Sequence, residues 1–205
     1  MSDEIIDIYD SEMNLLGVST KDQAHKEGLW HKVFHSWIVS EDGNIWLQFR
    51  NLNKQTFPAL LDVSCKGHVL VGEMVKSSGL HKLEENFGLH LKEYDLAKMF
   101  THKMVFDNPI INREFCSTYL YKTQTKIYDL RLQPENIYGM YEVDIGDLID
   151  LFFDEVKKIT IKGLVYKNGQ YIKEERSIGK SDFCPYGDKY YQKVFATIQR
   201  FIDNQ

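Results

Sequence analysis

The segment Gly67–Leu89 reads GHVLVGEMVKSSGLHKLEENFGL. Apolar residues recur in it at the spacing of a helix with one buried side, at Val75, Leu80, Leu83 and Phe87. The pattern predicts a helix from about Met74 to Phe87. Residues three and four apart lie on the same helix face, so Lys82, Glu85 and Asn86 are expected to point into one small volume. The segment therefore predicts a packed helix that carries polar side chains on one face.

Part of this segment has the spacing of the Nudix box, G-x5-E-x7-R-E-U-x-E-E-x-G-U, in which U is a bulky aliphatic residue. The matching residues are Gly67, Glu73, Leu83, Glu85, Gly88 and Leu89. Three positions depart from the pattern, since His81 replaces the arginine, Lys82 the first glutamate and Asn86 the last glutamate. The chain therefore resembles the Nudix hydrolase superfamily, with a degenerate box.

The resemblance implies a metal site on this helix, because the carboxylates of the Nudix box bind magnesium. Magnesium takes oxygen ligands and bridges to substrate phosphates. The implied ligands are Glu85 and Glu73, with help from the amide of Asn86. We expect Mg2+ or Mn2+ to bind weakly, because Lys82 repels a cation and is itself expected to contact phosphate. The family pattern also implies that His81 contacts Glu73 and holds the loop against the helix.

A series of motifs extends the resemblance from about Glu4 to Asp154. In chain order it contains Ala24-His25, Leu29-Trp30-His31, His35-Ser36-Trp37-Ile38, Gln48-Phe49-Arg50, Phe57-Pro58-Ala59, Asp62-Val63-Ser64 and Gly67-His68. The series is similar to the branch of Nudix proteins related to isopentenyl-diphosphate isomerase, which also includes bacterial hydrolases.

The isomerase itself uses a metal cage of histidines and glutamates, and a cysteine and a glutamate that transfer protons. Residues of this chain that fall close to those positions are His25, His31, His68 and Glu114. Lys66 stands in the position of the cysteine, and Asn112 in that of another glutamate. Cys65 lies one residue earlier, where strand alternation turns it to the opposite face. The resemblance therefore disfavours isomerase chemistry.

Several polar residues have both a functional and a structural interpretation. Glu114 lies in a strand with alternating apolar residues. It is either a solvated glutamate or a catalytic residue that assists Glu85. Arg50 either contacts phosphate bidentately or anchors the next loop. His68 is predicted to contact substrate. Three other histidines are either hydrogen-bonded groups or metal ligands: His25, His31 and His35.

The composition of the chain limits the kinds of molecule that it is expected to bind. The chain has 205 residues and a formal net charge of -5, without blocks of like charge, so nucleic-acid binding has little electrostatic support. Its three cysteines form no CxxC pair, which argues against a disulfide framework or structural zinc. No apolar run approaches a membrane span, and the acidic start is unlike a signal peptide. We expect a cytoplasmic protein that binds a small-molecule diphosphate, with neither nucleic acid nor membrane as partner; a homodimer is left open.

Turn signals and apolar alternation predict the other elements. Hairpins are predicted at Ile5–Tyr9 with Leu15–Val18, at Phe34–Val39 with Ile45–Phe49 around Asp42-Gly43, and at Ile159–Tyr166 with Tyr171–Glu175 around Asn168-Gly169. Further strands are predicted at Asp62–Cys65, Lys98–Phe106, Glu114–Tyr121 and Ile137–Val143, and helices at Ile145–Phe153 and Asp188–Asp203.

This order agrees with the α/β class that the resemblance implies, the Nudix fold: a mixed-sheet α/β/α sandwich, here with an extra C-terminal hairpin and helix. We expect a Nudix domain with an N-terminal hairpin over residues 1–155. Residues 156–205 are expected to add the hairpin and an amphipathic helix packed on the same domain. That extension either closes the core or forms a lid or dimer contact.

The leading functional hypothesis is a Nudix-type hydrolase that cuts a phosphoanhydride bond in a small organic or nucleoside diphosphate. Turnover is expected to be slow because the box is degenerate, with Glu85 and Glu114 as catalytic residues. The second hypothesis is a non-catalytic module that binds a diphosphate or nucleotide, since two acidic positions are lost from one helix face. The third is isomerase-like activity. The fold does not decide the substrate.

Overall fold

The computed structural model describes residues 4–54, 56–107, 111–130 and 132–204. The strands in these ranges are β1 (Ile5–Tyr9), β2 (Leu15–Thr20), β3 (Trp30–Ser40), β4 (Asn44–Phe49), β5 (Leu61–Asp62), β6 (Cys65–His68), β7 (Ala97–Phe106), β8 (Asn112–Thr123), β9 (Gly139–Asp144), β10 (Ile159–Lys167) and β11 (Gln170–Ile178). The helices are α1 (Lys21–Glu27), α2 (Val75–Phe87), α3 (Ile145–Phe152) and α4 (Asp188–Asp203), with short 3-10 turns at Glu93–Asp95, Ile127–Asp129 and Lys180–Asp182. The predicted α/β class is confirmed.

The chain forms two compact units, each built from segments that are distant in sequence. The first takes in the described parts of Met1–Ser36, Cys65–Glu85 and Leu89–Tyr119. The second takes in those of Trp37–Ser64, Asn86–Gly88 and Leu120–Gln205. The division into residues 1–155 and 156–205 stays a prediction, and the second unit runs across that boundary.

In the first unit, β1 pairs antiparallel with β2 and β3, and β6 pairs antiparallel with β3. The register sets Val33 of β3 opposite His68 of β6. β7 pairs with β8. Trp30 of β3 stacks on Phe115 of β8 with ring centroids 4.7 Å apart. Side chains alternate along a strand, so His31 lies on the same face of β3 as Val33 and is a diagonal neighbour of His68.

Helix α2 packs against β3 at a glycine. A Cβ at Gly79 would overlap the ring of Phe34, and Leu83, one turn further along, is fully buried. Glycine inside a helix costs about 1 kcal/mol relative to alanine. Here the missing side chain lets the helix approach the strand. The helix predicted from Met74 to Phe87 is confirmed, and it begins one residue later.

In the second unit, β9 pairs antiparallel with β4 and β10, and β10 with β11. The turn between β10 and β11 has φ of 52° at Asn168 and 84° at Gly169, which are the positive values of the predicted type I′ turn. Phe152 of α3 lies against Tyr191 of α4 with ring centroids 4.5 Å apart. The C-terminal hairpin therefore extends a sheet of this unit, and α4 buries its apolar face.

The predicted strand Asp62–Cys65 is wrong in its bounds, because the structure has β5 and β6 there with a break at Val63 and Ser64. Side chains take over the hydrogen bonding at the break. The amide of Val63 donates to the carboxylate of Asp62, and the hydroxyl of Ser64 accepts from Ile38 and donates to the carbonyl of Trp46. The two bonds of Ser64 depend on distant segments, so they leave no local pattern.

Helix α1 was not predicted. Thr20 begins it by accepting a hydrogen bond from the amide of Gln23, and Gly28 ends it with a φ of 65°. A helix of 7 residues is too short to show a full apolar period, although the threonine and glycine are ordinary start and stop signals. The remaining predicted strands and helices are confirmed to within a few residues.

We expect Gly79→Ala to destabilise the protein although alanine is the better helix former. The added methyl group must displace the Phe34 ring, and overpacking of a core costs about 1–3 kcal/mol, more than the gain in helix propensity. The measurement is the free energy of unfolding by urea. Ser77→Ala in the same helix is the control and is expected to change stability little. A Gly79→Ala protein as stable as its parent would contradict this packing.

Candidate functional site: a histidine cluster beside a buried ion pair

Three histidines from different elements of the first unit meet in one place. His25 comes from α1, His31 from the start of β3 and His68 from the end of β6. Their rings lie 5.0 to 5.3 Å apart between centroids. One ring nitrogen from each lies within 4.8 Å of the other two, and the Nε2 atoms of His25 and His68 are 3.1 Å apart. The turn at Gly28 and the β3–β6 register together build this cluster.

One nitrogen of the cluster is buried without a hydrogen-bond partner. His31 Nδ1 lies 2.9 Å from the carbonyl oxygen of Leu29. A carbonyl only accepts, so Nδ1 carries the hydrogen of the neutral ring and Nε2 carries the lone pair. That Nε2 atom is buried and has no partner among the described residues. Buried polar atoms are rarely left unsatisfied, so this lone pair points to a ligand.

The surroundings keep these histidines neutral. Burial lowers the pKa of His25 to about 4, with a smaller effect of nearby His31. Burial also lowers the pKa values of His31 and His68. A histidine must be unprotonated to bind a metal ion. At neutral pH the cluster therefore presents imidazole rings that are ready to act as ligands.

A buried ion pair accompanies the cluster. Lys66 Nζ lies 3.1 Å from both carboxylate oxygens of Glu114, and the amide of Asn112 donates to Glu114 Oε1 at 2.7 Å. The Glu114 side chain is 1% exposed. Burial alone would raise the pKa of Glu114, but the charge of Lys66 holds that pKa well below its usual value. Glu114 is therefore an ionised carboxylate with its own internal cation.

The donor set fits a divalent cation that accepts nitrogen ligands. Nitrogens bound to one tetrahedral ion at about 2.0–2.1 Å lie roughly 3.4 Å apart, close to the separation already present between His25 and His68. Imidazole suits zinc and other transition metals, whereas magnesium prefers oxygen. The unpartnered lone pair of His31 supports the same assignment. These three residues are the candidate metal ligands.

The carboxylates predicted to bind metal at the box have protein partners. Lys82 Nζ donates to Glu85 Oε2 at 2.8 Å, one helical turn away. The hydroxyl of Ser78 donates to Glu73, whose other oxygen lies 3.9 Å from Nδ1 of His81. The Glu73–His81 contact implied by the family pattern is thus present, at a distance that suits an ionic contact. The metal roles of Glu85, Glu73 and Asn86 stay predictions.

Two predicted residues differ in exposure from what their roles suggest. Asn86, predicted to help hold the metal, is 7% exposed, whereas the Glu85 side chain is 51% exposed.

The stem of Lys82 crosses strand β6 at Gly67, where a Cβ would lie 2.7 Å from Lys82 Cγ. Alternation along β6 turns His68 away from Gly67. Lys82 and the histidine cluster therefore approach β6 from different sides.

Arg50 lies in the second unit and is an internal anchor. Its guanidinium donates to Asp62 Oδ2 at 2.6 Å and to the carbonyl oxygens of Thr56 and Phe57. Tyr186 donates to the other oxygen of Asp62 at 2.6 Å. Burial would lower the pKa of Arg50, but Asp62 raises that pKa above its usual value. Of the two interpretations of Arg50, these contacts match the loop anchor; its role in substrate binding stays a prediction.

The sequence predictions name His68 and Glu114 separately, and the structure places His68 in the histidine cluster and Glu114 in the ion pair beside it. They assigned no role to Lys66 or Asn112 in holding Glu114. Strand alternation carries a signal for both contacts, because Lys66 shares a face of β6 with His68 and Asn112 shares a face of β8 with Glu114. What sequence could not supply is the pairing of both β6 and β8 with β3, which brings Lys66 within reach of Glu114, 48 positions further along the chain.

Comparisons with known proteins give the family. The chain is 30% identical over 203 residues to an uncharacterized Nudix hydrolase of Clostridium acetobutylicum, covering 97% of this chain and 98% of that protein. It is 27% identical over 161 residues to an isopentenyl-diphosphate Delta-isomerase of Serratia proteamaculans, covering 78% and 87%. A solved MutT/nudix family protein of Enterococcus faecalis superposes with a TM-score of 0.54 at 12% identity, over 84% of this chain and 62% of that one.

The chain belongs to the Nudix hydrolase family, and its fold is the Nudix fold. The family and fold expected from the box and its flanking motifs are thereby confirmed. No model of a protein family matches the chain. Within the described ranges, no helix has both the length and the apolar character needed to cross a membrane.

We expect Arg50→Met to lower the free energy of unfolding by about 3 kcal/mol, because removing one partner of a buried ion pair leaves the charge of Asp62 uncompensated. Arg200→Met, at an exposed position of α4, is the control and should change stability by less than about 0.5 kcal/mol. Urea unfolding measures both. An Arg50→Met protein with unchanged stability and a raised KM for a diphosphate would instead establish a phosphate contact.

Metal-free protein is expected to lose stability as the pH falls from 7 to 5. The pKa of His25 is about 4 in the folded state against 6.5 in the reference state. The unfolded chain therefore binds more protons between pH 7 and 5, and this binding stabilises the unfolded state relative to the folded one. The loss due to His25 alone is about 2 kcal/mol. Urea titrations at both pH values should show a smaller loss for His25→Gln. An equal loss in both proteins would mean that His25 protonates freely in the fold.

Proposed function

We propose that the chain is a metal-dependent Nudix hydrolase that cleaves a phosphoanhydride bond in a small organic or nucleoside diphosphate. The observation that carries this proposal is the set of three neutral histidines with a buried, unpartnered Nε2 on His31. Such a set is what a catalytic metal site requires: protein ligands on one side of the ion and open positions on the other. Relatives named as Nudix hydrolases support the reaction class.

The roles proposed for the residues follow from their contacts. His25, His31 and His68 hold the ion. A bound divalent cation would polarise the phosphoryl group and activate water. Glu114 has a pKa held below its usual value, and a base is most effective when its pKa lies near the working pH. We therefore propose that Glu114 holds Lys66 and Asn112 in place beside the site and does not itself accept the proton.

At the box helix we propose that Lys82 contacts substrate phosphate and that Glu85 is its counter-ion. Lysine reaches phosphate as a single strongly hydrated charge, and the Lys82 side chain is 30% exposed. A magnesium ion is expected to arrive together with the diphosphate, because Glu85 has a partner and Asn86 is neutral. Turnover is therefore expected to be slow. The cytoplasmic location and the homodimer stay predictions.

Isomerase-like activity is the second candidate. It is supported by the proximity of Glu114 to the histidine cluster and by the similarity to the Serratia proteamaculans isomerase. Against it, Lys66 stands where the isomerase pattern has a cysteine, and it is already bonded to Glu114. A non-catalytic diphosphate-binding module is the third candidate, supported by the Lys82–Glu85 pair.

The test is a panel of organic and nucleoside diphosphates incubated with Zn2+, Mn2+ or Mg2+, with release of phosphate or monophosphate as the readout. His31→Ala is expected to lower kcat/KM by about 10- to 100-fold, because the ion loses a ligand whose orientation is fixed. Glu85→Gln is expected to reduce activity as well. His90→Ala is the control, since His90 is exposed and its ring lies 3.0 Å from the carboxylate of Glu84, outside the histidine cluster.

Each candidate function predicts a different result on this panel. Hydrolysis that requires a divalent ion and His31 supports the proposal. Conversion of isopentenyl diphosphate to its isomer without release of phosphate would replace it with the isomerase. Calorimetric binding of a diphosphate with no product from any substrate would replace it with the binding module.

A further inference from the structure

Glu114 is a fully buried carboxylate whose charge reaches all three histidines of the cluster. A second carboxylate, that of Glu4, lies 3.9 Å from His68 Nδ1, but it is 32% exposed and is bonded to Lys21. A carboxylate in the position of Glu114 is a common ligand for divalent ions. In this chain, however, the Glu114 carboxylate already has three short contacts: both oxygens with Lys66 Nζ at 3.1 Å, and one with the amide of Asn112 at 2.7 Å. Its availability to an ion therefore depends on whether Lys66 can be displaced.

Displacing Lys66 would be costly for both partners. Glu114 is 1% exposed and the Lys66 side chain 19% exposed, so water cannot replace the contacts that each would lose. Breaking a buried pair leaves an uncompensated charge in a poorly solvated place. A divalent ion arriving at the histidines would also be repelled by the ammonium of Lys66. The internal cation and the external one therefore compete for the same carboxylate.

We propose that Lys66 is a tethered cation that keeps Glu114 out of the coordination sphere of an ion bound by His25, His31 and His68. The inference rests on the metal centre of the proposed function and adds how that centre is tuned. Lys66 is thereby a positioning residue that acts through Glu114. It sets the affinity of the three histidines for the ion and the net charge around the bound ion.

The ligand class that suits such a centre follows from its charge. Neutral imidazoles contribute no charge, and Lys66 cancels the charge of Glu114. A bound divalent ion keeps both of its positive charges and open positions, which favour an anion with oxygen donors. A diphosphate meets this description, and its binding is expected to strengthen that of the ion. By the same reasoning, when no diphosphate is present the ion binds to the three histidines alone. It then binds more weakly than it would if Glu114 were a fourth ligand.

The experiment is calorimetric titration of metal-free protein with Zn2+ in a double-mutant cycle. Lys66→Met is expected to tighten Zn2+ binding by about 10- to 100-fold, because the repelling charge is gone and Glu114 becomes a ligand. Glu114→Gln alone is expected to weaken Zn2+ binding by a smaller factor, because it leaves the charge of Lys66 uncompensated but removes no ligand. Lys66→Met combined with Glu114→Gln should lose most of the gain. This non-additivity is the signature of competition for one carboxylate.

Two further lysine substitutions keep the result interpretable. Lys66→Arg retains the charge and is expected to bind Zn2+ as the parent does. Lys103→Met removes a lysine of the same unit that lies over the Trp30 and Phe115 rings, and it controls for a general change in charge. If Lys66→Met does not fold, Lys66→Gln, which still offers a hydrogen bond, takes its place. Thermal unfolding without metal checks each protein.

A second titration adds methylenediphosphonate, a diphosphate analogue that cannot be hydrolysed. In the parent protein it is expected to tighten Zn2+ binding by about tenfold, and in Lys66→Met by less, because Glu114 fills an open position. Unchanged Zn2+ affinity in Lys66→Met, with His31→Ala still abolishing binding, would overturn the role of Lys66 alone. Equal Zn2+ binding by the parent and His31→Ala would overturn the metal centre itself.

Discussion

The buried carboxylate of Glu114 is the constraint around which the first unit is organised. An ionised group with almost no exposure requires a compensating charge, because transfer of a charge out of water is among the largest penalties in a protein. Lys66 and Asn112 supply that compensation from two strands. Their presence fixes the side chains of β6 and β8 relative to each other. The neighbouring histidines are then held neutral in a small volume, as a nitrogen-ligand site would require.

The box helix shows that the constraints of folding and of chemistry act on different faces of the same element. Its packing face keeps Gly79 against Phe34 and a buried Leu83, so the helix forms where the family pattern places it. Its polar face differs from the pattern at Lys82 and Asn86. Since stability comes mainly from the packed face, substitutions on the polar face change the chemistry of the box without changing the fold.

Local signals in the sequence predicted most of the fold. The Asn168-Gly169 turn, the period of α4 and the apolar spacing of α2 each act within a few residues, and each appears as predicted. The break at Val63 and Ser64 depends on Ile38 and Trp46, so it could not be read locally. The candidate site was predicted only in part for the same reason. His68 and Glu114 could be singled out by pattern, but the contact between Lys66 and Glu114, which are 48 positions apart, requires both β6 and β8 to pair with β3.

Two lysine–carboxylate pairs of the first unit, Lys82–Glu85 and Lys66–Glu114, have very different strengths, and the difference bears on where a hard cation would bind. The Lys82–Glu85 pair is one turn apart on an exposed helix face, where such pairs contribute about 0.3–0.5 kcal/mol. A magnesium ion or a phosphate can separate it at little cost. Breaking the buried Lys66–Glu114 pair costs about 3–5 kcal/mol, so Glu114 stays with its lysine. On the proposed function, oxygen-seeking ions would therefore be directed to the box helix, and nitrogen-seeking ions to the histidines.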